Sequence, residues 1–281
     1  MSKSTSFAQT SIDSVRDFWN QRPCNIRHSR KEIGTREYFD EVEARKHFVE
    51  PHIPAFANFK KWKGQRVLEI GCGLGTATIN FARYGAQVTA VDLSEKSLEL
   101  ARQRADVYEM NDRIEFYAVD AEKLGEFVPE QTFDLIYSFG VIHHSPHPDV
   151  ILEQLRSYCR KGTTLKIMVY NRYSWKVLWI LMTQGKGRFW DLEQIVARHS
   201  EAQTGCPITY TYSPRQARQL LEGAGFRVQR VQVEHIFPYR IPDYVEHRYV
   251  REWYFRWMPR FLFRQLERRL GWHLCLTAQY V

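Results

Sequence analysis

The chain has 281 residues, of which 44% are hydrophobic and 26% charged, so it is composed like an ordinary folded protein with one large core. Its five cysteines are scattered without a C-x-x-C pair, which argues against a disulfide framework or a zinc site and favours a reducing cytoplasm. The net charge of +8 permits nucleic acid, an anionic substrate or a membrane surface as a partner. The polar N-terminus and the lack of any apolar run of about 20 residues predict neither secretion nor a membrane span.

The first 60 residues are predicted to be mainly helical. Helical patterns run over residues 14–20 and 37–59, and Pro51 and Pro54 interrupt the second pattern.

A glycine-rich turn follows the first strand-like run, residues 67–70, which contains Glu69. Three glycines stand at alternate positions in this turn: Gly71, Gly73 and Gly75. Such a turn lets a bulky ligand approach bare backbone. A strand, a glycine turn and a helix in this order indicate a nucleotide site at the carboxyl end of a parallel strand. The dinucleotide fingerprint would need a glycine where Thr76 stands.

Four further strand-like runs come in order after the glycine turn. Residues 87–92 end in Asp92, about 20 residues beyond the first glycine, where a carboxylate can accept both hydroxyls of a ribose. Residues 114–120 end in Asp120, and the last two runs cover 133–144 and 165–170. Helices are predicted between these runs, near residues 75–84, 94–109 and 148–159, with Ser94 as a helix cap.

About 40 residues, 171–212, separate the fifth run from the next clearly marked helix. Within them, residues 175–182 are strongly apolar and residues 191–203 are amphipathic. A connection of this length inside a compact domain is usually a functional insertion. The next helix is expected to begin with Ser213 as its cap and Pro214 in its first turn, and to end at the glycines at 223 and 225.

Strand-like runs at 227–237 and 274–281 enclose a second insertion, residues 238–272, which is dense in Trp, Tyr, Phe and Arg. We expect Pro259 to start a second helix within it. Arginines recur every four residues and are predicted to form one helical stripe: Arg256, Arg260, Arg264 and Arg268. We expect this segment mainly to pack on the core with its arginines solvated. Membrane-surface docking and nucleic-acid contact are the alternatives.

The four motifs at 67–76, 87–92, 114–122 and 133–144 resemble, in order and spacing, those of the class I S-adenosylmethionine (SAM) methyltransferases. UbiE/UbiG-like small-molecule methyltransferases are the nearest kind. The resemblance covers residues 60–170 specifically and 213–281 more loosely. It implies an α/β, three-layer Rossmann-like fold, in which a seven-stranded, mainly parallel sheet has an antiparallel last strand and carries helical cap insertions.

The same resemblance implies a division of the chain into four parts. Residues 1–60 are a helical cover over the SAM pocket, and residues 61–170 are the SAM-binding core. Residues 171–212 are a helical cap insertion over the acceptor pocket. Residues 213–281 complete the core and carry the aromatic and arginine-rich insertion, 238–272.

SAM is the implied cofactor, and no metal is implied. By resemblance, Asp92 binds the ribose, Asp120 pairs with the exocyclic amine of adenine, and a neighbouring backbone amide meets a ring nitrogen. The full set of implied cofactor-binding residues is Glu69, Gly71, Cys72, Gly73, Gly75, Thr76, Asp92, Leu93, Asp120, Ala121, Glu122, Ser138 and Phe139.

His143, His144 and Tyr170 are the catalytic candidates. A histidine whose pKa is near neutral can take a proton from a hydroxyl or an amine during methyl transfer. In related methyltransferases a histidine pair at this place often positions groups near the methyl instead, and both interpretations remain open. Tyr170 ends the fifth run, where the ligand crevice of a doubly wound sheet lies.

Tyr38 and Arg172 are the substrate candidates. Arg172 directly follows the fifth run, although a solvated turn would explain it equally well. The N-terminal residues Arg22, Arg27 and Arg45 are further candidates to meet the SAM carboxylate or an acidic substrate.

The predicted function is transfer of a methyl group from SAM to an oxygen, nitrogen or sulfur atom of a small molecule. Because the protein has a positive net charge, this small molecule could be anionic. The alternatives are methylation of RNA, methylation of a lipid-linked acceptor at a membrane surface, and SAM binding without catalysis. Residues 138–141 lack the Asn/Asp-Pro-Pro-Tyr/Phe motif of base-amine methylases, so no stable nucleic-acid partner is expected. Membrane contact is expected to be at most peripheral, and the location cytoplasmic.

Overall fold

The computed structural model describes residues 7–185, 187–200 and 205–281. In chain order the strands of its single sheet are β1 Arg66–Ile70, β2 Gln87–Asp92, β3 Ile114–Ala118, β4 Leu135–Phe139, β5 Thr164–Asn171, β6 Thr211–Tyr212, β7 Phe226–Glu234 and β8 His273–Tyr280. The α-helices of the described chain are α1 Ile12–Gln21, α2 Arg36–Val49, α3 Ile53–Ala57, α4 Thr76–Arg83, α5 Glu95–Val107, α6 Leu124–Phe127, α7 Pro148–Arg156, α8 Trp175–Gln184, α9 Leu192–His199, α10 Pro214–Gly223, α11 Ile241–Val245, α12 Trp253–Arg256 and α13 Arg260–Leu270.

The sheet has the order β3-β2-β1-β4-β5-β8-β7. Neighbouring strands from β3 to β5 are parallel, and β8 runs antiparallel to both β5 and β7. The predicted fold class and the antiparallel last strand are therefore confirmed. The two-residue strand β6 was not predicted. It pairs in parallel with the end of β5, and two residues are too few to show a strand pattern in sequence.

The two faces of the sheet are covered by different helices, which makes three layers. Side chains alternate between faces along a strand, so Val67 and Leu68 of β1 belong to opposite cores. On one face of the sheet, Phe39 of α2 and Phe81 of α4 pack in the core. On the other face, Leu155 of α7 does so. The cofactor cavity described below lies at the carboxyl ends of the parallel strands.

Helix caps explain why several helices begin where the sequence predicts. The backbone N–H of Ser97 donates to Ser94 Oγ at 3.1 Å at the start of α5. At the start of α10, Gln216 N–H donates to Ser213 Oγ at 3.2 Å, and Ser213 N–H donates back to Gln216 Oε1 at 3.0 Å, a complete capping box. The predicted helix over 191–203 is observed as α9, and its last predicted residues, 201–203, lie outside the described residues.

The segment 238–272 differs from its prediction in two respects. Pro259 does begin a new helix, but α12 ends at Arg256, so Arg256 does not share one helical stripe with the arginines of α13. Phe255 is buried, yet Trp253 and Trp257 are 79% and 83% exposed. The expectation that this apolar side packs on the core is wrong for these two tryptophans, because the segment breaks into the short helices α12 and α13 and does not continue as one amphipathic helix.

Candidate functional site

The glycine turn is built as its spacing predicts. Gly71, Gly73 and Gly75 all have positive φ, at 76°, 52° and 71°, a region that L side chains rarely adopt. A Cβ on Gly71 would lie 2.2 Å from Val141 Cγ2, so the loop after β4 packs directly on this turn. A Cβ on Gly73 would meet no atom within 4 Å, and Gly73 lines the cavity described next.

A cavity with an empty volume of about 1000 Å³, part of it open to solvent, lies against this turn. The lining residues that were predicted from the sequence are Gly71, Cys72, Gly73, Thr76, Asp92, Leu93, Asp120, Ala121, Phe139 and His144. They come from the ends of four adjacent strands, β1 to β4, and from the loops that follow them. The topology thus brings most of the predicted cofactor set into one space.

Asp92, at the end of β2, stabilises the glycine turn through hydrogen bonds. Its Oδ2 accepts from Gly73 N–H and its Oδ1 from Ser94 N–H, both at 2.8 Å. A carboxylate has about four lone-pair positions, so two remain for a bound diol. Burial raises the pKa of the Asp92 carboxyl, and these backbone hydrogen bonds oppose that shift.

Asp120 lines the same cavity, whereas Glu122 does not. Asp120 Oδ1 accepts from Glu122 N–H at 2.9 Å, and burial raises the pKa of the Asp120 carboxyl. The Glu122 carboxylate accepts from Ser145 Oγ and, at 3.0 Å, from His147 N–H. Glu122 therefore stabilises the loop after β4. Its hydrogen bonds do not indicate direct contact with a ligand in the cavity.

Three other predicted cofactor residues stand behind the cavity wall. Glu69 is buried in a small adjoining cavity with Lys46, and Thr78 Oγ1 donates to its Oε2 at 2.6 Å. Burial raises the pKa of Glu69 to about 7. Gly75 packs on Ala101, since a Cβ there would lie 3.2 Å from the alanine Cβ. Ser138 is buried in β4 and does not line the cavity.

The two histidines have different environments. His144 lines the cavity, and its Nδ1 lies 2.6 Å from the carbonyl oxygen of Ile208. Since a carbonyl only accepts, the neutral ring carries its proton on Nδ1, and Nε2 keeps its lone pair. His143 is fully buried, neither of its ring nitrogens is hydrogen-bonded to a residue that the structure describes, and burial holds its pKa well below the usual value. The ring centroid of His143 lies 3.9 Å from that of Tyr170.

Tyr170 lies behind the histidine pair. Its ring stacks on Trp272, with centroids 4.0 Å apart, and Tyr170 does not line the cavity. A catalytic role for Tyr170 would therefore have to act through His143 or His144.

Neither predicted substrate residue reaches the cavity. Tyr38 is fully buried, its hydroxyl donates to the carbonyl of Ile26 at 2.8 Å, and burial raises its pKa to about 12. Arg172 pairs with Glu193 of α9 at 3.2 Å. Their substrate roles stay predictions: Tyr38 packs in the core below α2, and the ion pair directs Arg172 towards α9.

Trp19 and Lys46 line the cavity but were not predicted to do so. Trp19 follows Ile12 and Val15 on one face of α1, and its ring meets the edge of His144 with centroids 5.4 Å apart. Lys46 is one helical turn after the buried Val42 on the inner face of α2. Helical spacing from buried apolar residues was the signal that could have identified both.

The N-terminal segment, and not the described part of the two insertions, completes the cavity wall that the strand ends begin. The N-terminal segment adds to the lining from the ends of β1 to β4, whereas among the described residues none of 171–212 and none of 238–272 lines the cavity. The segment just before β6 supports it from behind: Ile208 and Tyr210 pack with Val15 of α1, and Tyr210 N–H donates to the carbonyl of His143 at 2.9 Å. A cap by 171–212 over the acceptor pocket stays a prediction, and no described residue of that range lines this cavity.

Comparison with known proteins identifies the family. A family model for the methyltransferase domain matches residues 21–231, well over half of the chain. The ubiquinone biosynthesis O-methyltransferase of Bordetella parapertussis is 33% identical over 109 residues, which are 39% of this chain and 44% of that protein. The protein of the same name from Coxiella burnetii is 32% identical over 110 residues, 39% of this chain and 45% of that protein. The matches thus span less than half of these relatives.

Solved structures share the fold over nearly the whole chain at low identity. Magnesium protoporphyrin IX methyltransferase from Synechocystis PCC 6803, with bound SAH, has a TM-score of 0.61 at 18% identity, covering 96% of this chain and 100% of that one. The [4+2]-cyclase SpnF has a TM-score of 0.56 at 18% identity, with coverages of 95% and 93%. These likenesses establish the fold, and the second shows that the fold alone does not fix the reaction.

The chain belongs to the methyltransferase-domain family. The predicted methyltransferase family and fold class are thereby confirmed. No helix in the described part of the chain is both long enough and apolar enough to cross a membrane.

Proposed function

We propose that the protein transfers the methyl group of SAM to a small-molecule acceptor. The observation that carries this proposal is one cavity whose lining combines the glycine turn, Asp92 and Asp120 with the ring of His144. The same space therefore holds groups suited to a nucleoside and a group suited to the proton of an acceptor.

We infer the cofactor contacts from this lining. Asp92 accepts hydrogen bonds from the ribose hydroxyls, Asp120 accepts one from the adenine amine, and Gly73 gives the room that the cofactor needs. The ammonium of Lys46 forms no salt bridge with any described residue, so it is available for the SAM carboxylate. Arg45 is a poorer candidate for that carboxylate, since its guanidinium lies over the Tyr244 ring, 4.2 Å from the centroid.

The proposed reaction is an in-line displacement at the sulfonium methyl. The methyl is already activated, so alignment of the acceptor and a preorganised polar environment supply much of the rate. A hydroxyl acceptor also needs a proton acceptor, and His144 Nε2 is suited to this role because Ile208 fixes the proton on Nδ1. A thiol or neutral amine acceptor would need His144 only for positioning.

Transfer of a labelled methyl group tests the acceptor class. Purified protein and methyl-labelled SAM are incubated with cell extract separated into polar metabolites, lipids and RNA. Label in the metabolite fraction supports the proposal. Label only in RNA, or in no fraction while SAH still binds, overturns it.

Two histidine variants separate the roles of the pair. For a hydroxyl acceptor, His144→Gln should lower turnover by about 10²–10⁴-fold with SAH affinity nearly unchanged. His143→Gln is the matched control, because His143 is buried and does not line the cavity. Equal losses in both variants would contradict proton transfer by His144.

A lipid-linked acceptor at a membrane surface is the second candidate, favoured by one exposed aromatic surface. Trp179 of α8 contacts Tyr254 of α12, with ring centroids 5.7 Å apart, so the two insertions meet there. The Trp253 ring contacts Tyr254, with centroids 5.4 Å apart, and Trp253, Trp257 and Phe261 are all exposed, Phe261 by 68%. The neighbouring arginines suit anionic headgroups.

Flotation with vesicles tests this second candidate. Binding to vesicles that contain anionic lipid should be lost in a Trp257→Ser, Phe261→Ser double variant and retained in the control Phe127→Ser, whose exposed ring lies on α6. Equal flotation of both variants would exclude this surface as the docking site.

A further inference from the structure

Three histidines and one glutamate meet outside the cavity, and we call Glu50, His52, His235 and His273 the histidine cluster. Glu50 caps the end of α2 and His52 precedes α3. His235 follows β7, and His273 begins β8 opposite Glu234. The cluster thus joins the N-terminal helices to the two last strands, and none of its members enters the cofactor contacts inferred above.

The distances within the cluster suit an ion between its members. One ligand atom each from Glu50, His235 and His273 lies within 4.8 Å of the other two. His273 Nε2 is 3.5 Å from Glu50 Oε1. Tetrahedral zinc with metal–nitrogen distances of about 2.0–2.1 Å holds neighbouring ligand atoms about 3.3 Å apart, so this pair is already spaced as two ligands would be.

His52 occupies the place of an orienting partner. Its Nε2 lies 3.0 Å from His273 Nδ1, on the opposite side of the His273 ring from Glu50. A hydrogen bond at one ring nitrogen fixes the tautomer and directs the other nitrogen to a metal, as is usual for ligating histidines.

A neutral imidazole is the form that binds a metal. His235 and His273 are buried. The cations that act on the cluster are Lys176 and Arg264. Arg264 is paired with Glu267 at 3.2 Å, and Glu50 adds a negative charge within the cluster.

The backbone of His235 is a second, independent observation. Its φ is 68°, a left-handed conformation that is uncommon for a residue other than glycine. Trp272 N–H donates to the His235 carbonyl at 2.7 Å and holds this conformation. Residues held in such conformations gather at functional and ligand-holding sites.

We propose that Glu50, His235 and His273 bind one divalent transition metal ion of the zinc class, with His52 orienting His273. Two imidazoles and one carboxylate form a donor set that zinc uses, and it leaves a coordination position for another ligand. The site is one aromatic ring from the cofactor cavity: Phe139 lines that cavity, and its ring centroid is 5.4 Å from that of His273. The ion would tie Glu50 of the N-terminal helices to the strand ends.

Metal titration of the full-length, untagged chain tests the proposal. After treatment with a chelator, the protein should take up one Zn²⁺ per chain, and Co²⁺ in its place should give the visible absorption of a low-coordinate site. The melting temperature should rise with added Zn²⁺. No uptake above one-tenth of an ion per chain, or no Co²⁺ spectrum, would overturn the proposal whatever the variants do.

Variants locate the ion. His273→Gln and Glu50→Gln should each weaken Zn²⁺ binding by at least about 100-fold, and His52→Gln by about 10–100-fold. His199→Gln is the matched control, a histidine on α9 outside the cluster, and should bind Zn²⁺ as the wild type does. Stoichiometric wild-type affinity in folded His273→Gln would place the metal elsewhere and overturn the assignment.

Discussion

The cofactor end of the molecule and its acceptor side differ in how their residues come together. At the cofactor end, the predicted residues lie at the ends of neighbouring strands, from Gly71 after β1 to Asp120 after β3. Most of these residues line one cavity. On the proposed acceptor side, the wall includes α1 and Lys46, and none of the described residues of 171–212 or 238–272 lines the cavity. A site built by consecutive strand ends is thus encoded locally, and a site built by packing of distant helices is not.

A substitution in the glycine turn should have the largest effect on stability. Gly71→Ala places a Cβ 2.2 Å from Val141 Cγ2 at a positive φ, and we expect a loss of about 3 kcal/mol in the free energy of unfolding, measured by urea denaturation. Gly64→Ala is the control with a similar φ of 73° and no close contact, for which we expect about 1 kcal/mol. Equal losses would show that the Val141 contact is unimportant.

Glu69 should make stability depend on pH in a recognisable direction. Its folded pKa of about 7 lies above its usual 4.5, so its contribution to stability is present below pH 4.5 and is lost as pH rises through 7. From pH 5 to 8 the wild type should lose up to about 3 kcal/mol relative to Glu69→Gln. Urea denaturation of both proteins at the two pH values measures this difference, and parallel pH profiles would contradict it.

Asp92 tests the cofactor contacts themselves. Asp92→Ala removes the paired acceptor for the ribose and the bonds to Gly73 and Ser94, and should weaken SAH binding by about 1–3 kcal/mol in calorimetry. Asp134→Ala is the control, since Asp134 also accepts a backbone N–H, from Arg66, but lies at the amino end of β4, away from the carboxyl strand ends that line the cavity. Unchanged affinity in folded Asp92→Ala would remove the ribose assignment.

Arg172 should show the smallest effect and so sharpens the contrast between the two regions. Its ion pair with Glu193 is partly exposed, so Arg172→Ala should cost about 0–1 kcal/mol of stability and leave SAH affinity unchanged. A tenfold loss of SAH affinity would show that 171–212 controls the cofactor site more closely than its position indicates.

The sequence allowed the sheet, the glycine turn and both strand-end acids to be predicted, because strand period, glycine spacing and strand-terminal carboxylates are short-range signals. Tyr38 was predicted to contact the substrate, but it is buried in the core, because the sequence pattern did not show which face of its helix is buried. Lys46 was overlooked because a lysine on a helix is usually solvated. The histidine cluster could not be found at all, since His52 and His273 are 221 positions apart and meet only through tertiary packing.

The hydrogen bond between His144 Nδ1 and the Ile208 carbonyl has a consequence for engineering new acceptor specificity. Residue 208 belongs to the chain region that a designer would exchange between relatives, yet its backbone oxygen determines where His144 carries its proton. A chimera that exchanges only residues up to 204 keeps that oxygen and the reactivity of the ring. One that crosses over at 212 replaces the segment whose backbone path positions that carbonyl, and a different path there would change the tautomer of His144 without touching any residue of the cavity wall.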